Sequence, residues 1–307
     1  MNKNTPSKPA PALPPVSSFL SVATLAALVT VFVWGGSPLV TKLGTASVDG
    51  FTLALLRTIA SIPFAVFVIV VMRLALPWQG RDKIDIIAVS ITGLIGFPVL
   101  FTLGVAHTTA GHAAVAAAAT PIFAGLMDAA VNRRWPSVRW WTGISVAFLG
   151  AVILIWEAVG LEASGASWQG DLLVIGGGFS AAVSFIFGGR LTPRFGAPAV
   201  TMWSVVISGI ILLPVLYLRT TPADFLAITP VGWASILYLS AGSSIIAYMT
   251  WFYALSRGGI GRMSVWQFAL PIVGIVLASV FLQEALTPLL VVATVVILLG
   301  VGLVQRR

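Results

Sequence analysis

Ten apolar runs, each about as long as a bilayer is thick, leave this 307-residue chain few ways to fold. Crossing the hydrocarbon core takes about 20 apolar residues. Runs near 18–41, 50–72, 84–105, 112–131, 138–157, 170–190, 199–218, 231–255, 263–283 and 287–304 meet that requirement. The chain is 58% hydrophobic and only 8% charged, against about 25% charged in soluble domains. It lacks the polar side chains to cover a soluble surface of this size. Inside lipid every backbone polar group must find a partner within the protein, so the runs read as helices. The expected fold class is an all-α membrane protein of ten transmembrane helices.

Residues 1–17 differ. MNKNTPSKPAPALPPV carries five prolines and two lysines and offers little to pack, so this stretch reads as a disordered tail. A signal peptide would also place lysines before an apolar run. Here the run from Phe19 continues to Val40 with no small-x-small cleavage site, which favours an uncleaved first helix. The fourth run, rich in alanine, suits a helix facing protein or a cavity better than one facing lipid.

Orientation follows from Lys and Arg. With a cytoplasmic N-terminus, the inner segments hold fourteen of the seventeen: Lys3, Lys8, Arg73, Arg81, Lys83, Arg133, Arg134, Arg139, Arg190, Arg194, Arg257, Arg262, Arg306 and Arg307. The outer segments hold Lys42 and Arg219, and Arg57 falls within a span. Both termini are therefore expected in the cytoplasm. This distribution explains the formal charge of +8 without a nucleic-acid partner. With no cysteine in the chain, disulfides and thiolate metal sites are excluded, and no cofactor is expected.

The second half repeats the first. Shifting by 150 aligns 104–153 with 254–303 without a gap, with eight identities in fifty positions, among them Gly111/Gly261, Pro121/Pro271 and Gly150/Gly300. Matched Pro and Gly matter most, because they set backbone geometry. Each copy holds an odd number of spans, five, so the second must enter the membrane from the opposite side. Residues 18–157 and 168–304 thus read as two inverted five-helix repeats, an architecture that places a substrate site at the repeat interface near the midplane.

Several stretches resemble the drug/metabolite transporter superfamily, ten-helix EamA type. WGGSPLVTKL (34–43) is similar to its Trp-Gly first helix, and FTLALLR (51–57) to its second-helix segment ending in Arg. ATPIFAGLMDAAVNRRWPS (119–137) and ALPIVGIVLASVFLQEALTP (269–288) resemble the paired proline segments, and FLGAVILI and LLGVGLV the last helix of each repeat. The family often has Glu thirteen residues after each proline; Glu284 fits, but Arg134 stands at the first position. The resemblance implies export of small metabolites or amino acids across a bacterial inner membrane; a monomer is expected. Aromatic or hydrophobic amino acids are the favoured substrates, through the aromatic amino acid exporter branch. A proton-coupled multidrug or other metabolite exporter is the alternative.

Aromatic residues away from the expected interfaces suggest a cavity wall: Trp34, Phe97, Phe101, Trp203, Tyr248, Trp251 and Trp266. Gln267, Ser37, Ser180 and Ser184 add hydrogen-bonding groups, and His107 and His112 stand at an outward mouth where they could meet a substrate carboxylate. Such a mixture suits a neutral or zwitterionic solute with an apolar body. Gly35, Gly36, Gly188, Pro121 and Pro271 read as packing or bending points. Arg57 is an intramembrane charge, with a structural role or an outward reach to Asp49 as its two readings. Asp128 is the carboxylate placed inside a span, beside Arg133 and Arg134. Because Asp171, Glu157 and Glu284 are assigned to outer segments, transport is expected to follow the substrate gradient rather than protons. An intramembrane enzyme would need a nucleophile with its base, or a metal, and a channel a ring of charges or carbonyls; the spans carry neither pattern.

Overall fold

A computed structural model describes residues 22–131, 137–160, 165–258, 263, 266–267 and 269–305. Among these residues there are helices and no strands. In chain order the apolar helices are α1 (Val22–Gly44), α2 (Gly50–Met72), α3 (Asp82–His107), α4 (Ala110–Val131), α5 (Val138–Gly160), α6 (Trp168–Phe195), α7 (Ala197–Arg219), α8 (Pro230–Gly258), α9 (Ala269–Leu282) and α10 (Pro288–Gln305). Seven of them are long and apolar enough to cross a membrane, and α5, α9 and α10 have shorter apolar cores. They lie at the ten places where the sequence puts spans. Large apolar side chains such as Phe67, Val70, Phe148 and Leu218 point outward, which suits a lipid surround and not water. The alanine-rich start of α4 is buried from Ala110 to Ala116, in agreement with its weak hydrophobicity.

The repeat register is visible where α5 crosses α10. A Cβ on Gly150 would lie 2.7 Å from Ile297 and 3.0 Å from the Ala293 carbonyl oxygen; one on Gly300 would lie 2.3 Å from the Ala147 nitrogen and 2.6 Å from the Gly143 carbonyl oxygen. Each contact maps onto the other by the shift of 150. Both glycines are absent side chains that let the two backbones touch.

The same relation governs the middles of α3 and α8. Both widen into π-helix, at Ser90–Gly96 and Tyr238–Ala247, ranges that overlap under the shift. In α3, Pro98 has no N–H for the Leu94 carbonyl, and Thr58 Oγ1 donates to it at 3.0 Å. In α8, Ser244 Oγ donates to the Leu239 carbonyl at 3.0 Å. Serines of the opposite repeat tie each segment down. Ser61 of α2 donates to the Ser240 carbonyl at 3.2 Å, and Ser208 of α7 to the Ser90 carbonyl at 3.0 Å. Wide turns of this kind are a recurrent feature of functional sites.

The two ends of the bundle are held differently. At the arginine-rich end, Arg194 of α6 pairs with Asp82 of α3, and Arg190 lies 4.0 Å from Asp85. At the other end, Asp49 accepts from Phe51 N and Thr52 N to cap α2 and pairs with Arg219 at 3.2 Å. Arg57 therefore does not reach Asp49.

Candidate substrate cavity

The segments that the repeats bring together enclose a cavity of about 50 Å³. Helix α1 supplies Trp34 and Ser37, α3 supplies Phe97 and Phe101, and α4 supplies Ala114, Ala117 and Thr120. Ala181 and Phe185 of α6, Tyr248 of α8, and Gln267 complete the wall. The space would hold a few water molecules and is well below the roughly 300 Å³ of ordinary ligand pockets. The structure is thus a contracted form.

Aromatic groups are fixed by the π segments. Trp34 Nε1 donates to the Ser243 carbonyl at 3.1 Å, and the Tyr248 hydroxyl donates to the Gly93 carbonyl at 2.7 Å. Gly93 and Ser243 are 150 apart, so repeat-equivalent carbonyls orient the two polar aromatics of the cavity. The Trp34 ring stacks on Phe185 with centroids 6.1 Å apart and meets the edge of Tyr248 at 5.2 Å. Phe97 and Phe101 pack 5.2 Å apart. These contacts hold the rings in place and leave their remaining faces as apolar wall.

Behind the wall lies the charge. Arg57 is 1% exposed, and Nη2 donates to Ser243 Oγ at 2.9 Å. Its Nε and Nη1 have no hydrogen-bond partner. Ser37 Oγ, on the cavity wall, lies 3.3 Å from the same Ser243 Oγ. One serine thus separates the guanidinium from the cavity, and no salt bridge to Arg57 occurs among the described residues.

The expected site residues divide. Trp34, Ser37, Phe97, Phe101, Tyr248 and Gln267 meet at the cavity. Trp251 stands behind, 6.0 Å from Trp34, and Trp266 packs against the same apolar cluster. Ser180 and Ser184 are spent on carbonyls of Thr92 and Ala181. Trp203 lies elsewhere: its Nε1 donates to the Leu74 carbonyl, just past the end of α2. Gly35, Gly36 and Gly188 are close-packing points against Val273, Tyr238 and Phe252, and Pro121 and Pro271 are buried in α4 and α9. The side chain of Asp128, with Arg133 and Arg134, lies outside the described residues. Ala114 and Phe185, on the wall, were not among the residues singled out from sequence.

The two histidines part company. His107 is exposed at the end of α3. His112 is 3% exposed, and its Nδ1 lies 3.0 Å from Oδ2 of Asp171, which is fully buried. Asp171 also accepts from Thr108 Oγ1 at 2.9 Å. Asp171 and Glu157, expected on the outer side, are not open to solvent: Asp171 is buried between α3, α4 and α6, and Glu157 is buried against Thr287. Each sits on a helix end that other helices cover. Among the described residues no group of three metal-ligating side chains occurs.

An all-helical membrane bundle of two inverted repeats around a small aromatic cavity is the build of a solute carrier. The family model for EamA-like transporters matches twice, over residues 21–156 and 168–306. The chain belongs to this family and is a multi-pass membrane protein. It is 29% identical to an uncharacterized transporter of Archaeoglobus fulgidus, over 91% of this chain and 96% of that one. It is 27% identical to a probable terminal-alkyne amino-acid exporter of Streptantibioticus cattleyicolor, over 94% and 95% of the two chains. A solved crystal structure has the same fold, with a TM-score of 0.64 at 18% identity, covering 92% of this chain and 95% of the other.

Proposed function

We propose that this transporter exports amino acids with apolar or aromatic side chains, by alternating access between its two repeats. The observation that carries this reading is the pairing of an aromatic wall with Arg57. An apolar side chain would lie against Trp34, Phe97, Phe101 and Phe185. The carboxylate would face Ser37 and Ser243, where Arg57 has two donors unused. A guanidinium buried in a membrane is costly unless an anion or water compensates it, and a carboxylate would do so in the loaded state. The name of the relative from Streptantibioticus cattleyicolor points to the same class of solute.

Entry of such a solute requires the cavity to widen, and the repeat arrangement offers the route: the two halves exchange conformations and open one face at a time. With the Lys and Arg excess taken as cytoplasmic, the arginine-rich face loads and the opposite face releases. Counterflow into proteoliposomes preloaded with unlabelled phenylalanine tests the substrate class. Accumulation of radiolabelled phenylalanine, tryptophan or tyrosine is expected. Movement of another solute class with none of these three would overturn the assignment.

A further inference from the structure

At the end of the bundle opposite the arginine-rich face, polar contacts join α1, α3, α4, α6 and the end of α9. Lys42 of α1 donates to the carbonyls of Val105 and Thr108, at 3.2 and 2.6 Å, at the end of α3. Thr108 Oγ1 donates to Asp171 of α6, which also takes the His112 imidazole of α4. Glu284, just beyond α9, accepts from Ala110 N at 2.8 Å and Gly111 N at 2.7 Å, the first turn of α4. His112 N completes that turn by donating to Thr109 Oγ1. All three leading amides of α4 are thus satisfied, two of them by a carboxylate placed where the helix dipole favours an anion.

One member of this set is a histidine, the side chain type that can carry a neutral or a charged ring. Because an ionised carboxylate only accepts, His112 Nδ1 must carry the proton shared with Asp171 Oδ2. Nε2 is then free to take a second proton. That proton turns the bond between a neutral imidazole and a carboxylate into an imidazolium–carboxylate ion pair, which is stronger away from water. A vestibule of about 370 Å³ reaches His112 and Glu284 from this end. Ala114 and Ala117, on the same helix as His112, wall the central cavity. The pair therefore stands between the vestibule and the cavity.

We propose that His112 and Asp171 form the proton-binding site of this transporter, and that proton uptake from the vestibule locks this face shut. The proposal rests on the reading of the chain as a transporter but not on its substrate. Asp171 on α6 faces the imidazole, and Glu284 after α9 lines the same vestibule; Lys42 on α1 holds Thr108, His107 stands exposed at the end of α3, and Glu157 on α5 is held by Thr287, a vestibule residue. Lys42 and Glu284 are each engaged with backbone groups and hold the same helices in either protonation state of His112. A proton that closes one face while solute leaves the other conformation is the cycle of a proton–solute exchanger.

The native chain has no cysteine, so Ala117→Cys provides a single reporter in the cavity. Its modification by a membrane-impermeant methanethiosulfonate, added to the His112 side of proteoliposomes, reads the opening of this face without any substrate. The rate ratio between this reporter alone and the reporter carrying His112→Gln cancels thiolate ionisation. The ratio is expected to fall at least about fivefold between pH 8.5 and pH 5.5, as the imidazolium of the parent forms. Asp171→Asn should flatten the profile as well, while Thr108→Val should keep its midpoint. A pH-independent ratio would overturn the proposal. In parallel, phenylalanine counterflow at equal pH tests the substrate, and faster net phenylalanine efflux towards an acidic His112 side tests coupling. If phenylalanine does not move, the labelling experiment still decides the proton site.

Discussion

The two repeats share a backbone frame and differ in the chemistry hung on it. Gly150 and Gly300 pack in equivalent places, as do the serines Ser61 and Ser208 and the carbonyls of Gly93 and Ser243. The charged groups have no such partners. The register of α2 and α7, fixed by Ser61 and Ser208, puts Ser204 opposite Arg57. The shift of 150 puts Arg262 opposite His112 and Arg134 opposite Glu284. An arginine has no lone pair with which to cap a helix N-terminus or accept a proton at neutral pH. Symmetry supplies two conformations of similar energy, and asymmetry decides which solute and which ion turn one into the other.

The sharpest test of that division is Arg57 against Ser204. Arg57→Gln removes the cation that faces Ser243. Transport of amino acids should fall by about 10–100-fold, the worth of a charge-assisted hydrogen bond of about 1.5–3 kcal/mol. Thermal stability should hold or rise, because the guanidinium lacks an ionic partner in the structure. Ser204→Ala, at the related place, should leave transport within about twofold, since its hydroxyl has no hydrogen-bond partner to lose. Equal transport losses at both positions would mean that Arg57 acts through the frame alone. The measurements are initial counterflow rates and melting in detergent.

A second comparison probes the frame itself. Gly150→Ala and Gly300→Ala each force a methyl into the backbone of the other helix. Each should destabilise by about 1–3 kcal/mol, the usual cost of overpacking. Gly302→Ala, on the same helix with nothing within 4 Å of a new Cβ, should change melting by less than about 0.5 kcal/mol. A large loss at Gly300 with none at Gly150 would break the proposed equivalence.

How much of this was legible in sequence follows the same line. Apolar length located ten helices because a bilayer imposes one period on every span. The shift of 150 was readable because Pro121/Pro271 and Gly150/Gly300 recur at sites where backbone shape is constrained. The π segments were not: nothing in SITGLIG or YLSAGSSIIA distinguishes a widened turn from an ordinary one, since the choice depends on hydroxyls from other helices. Six aromatic or polar wall residues were foreseen from their distance to the expected interfaces. Trp203 satisfied the same criterion and went to the Leu74 carbonyl instead, because spacing along a helix fixes depth but not facing. The burial of Asp171 was not legible, for the converse reason. A carboxylate in the first turns of a helix carries no sign of burial until a second helix brings a histidine over it.

The smallest effect is expected where the symmetry is most exact. Ser61→Ala and Ser208→Ala each remove one hydroxyl from the carbonyl of the facing π segment, Ser240 or Ser90. Neither change leaves the serine's own helix without backbone pairing, and each hydroxyl also has a carbonyl one turn back, Arg57 or Ser204. Interhelical hydrogen bonds inside membranes average about 0.6 kcal/mol. Each variant should therefore lose about that much in reversible unfolding, and the two losses should agree within error. Their double variant should lose the sum, because the two contacts serve separate π segments and share no side chain. A loss in the pair well above the sum would show that the two π segments respond as one unit, coupling the repeats through the middle of the membrane rather than only at their ends.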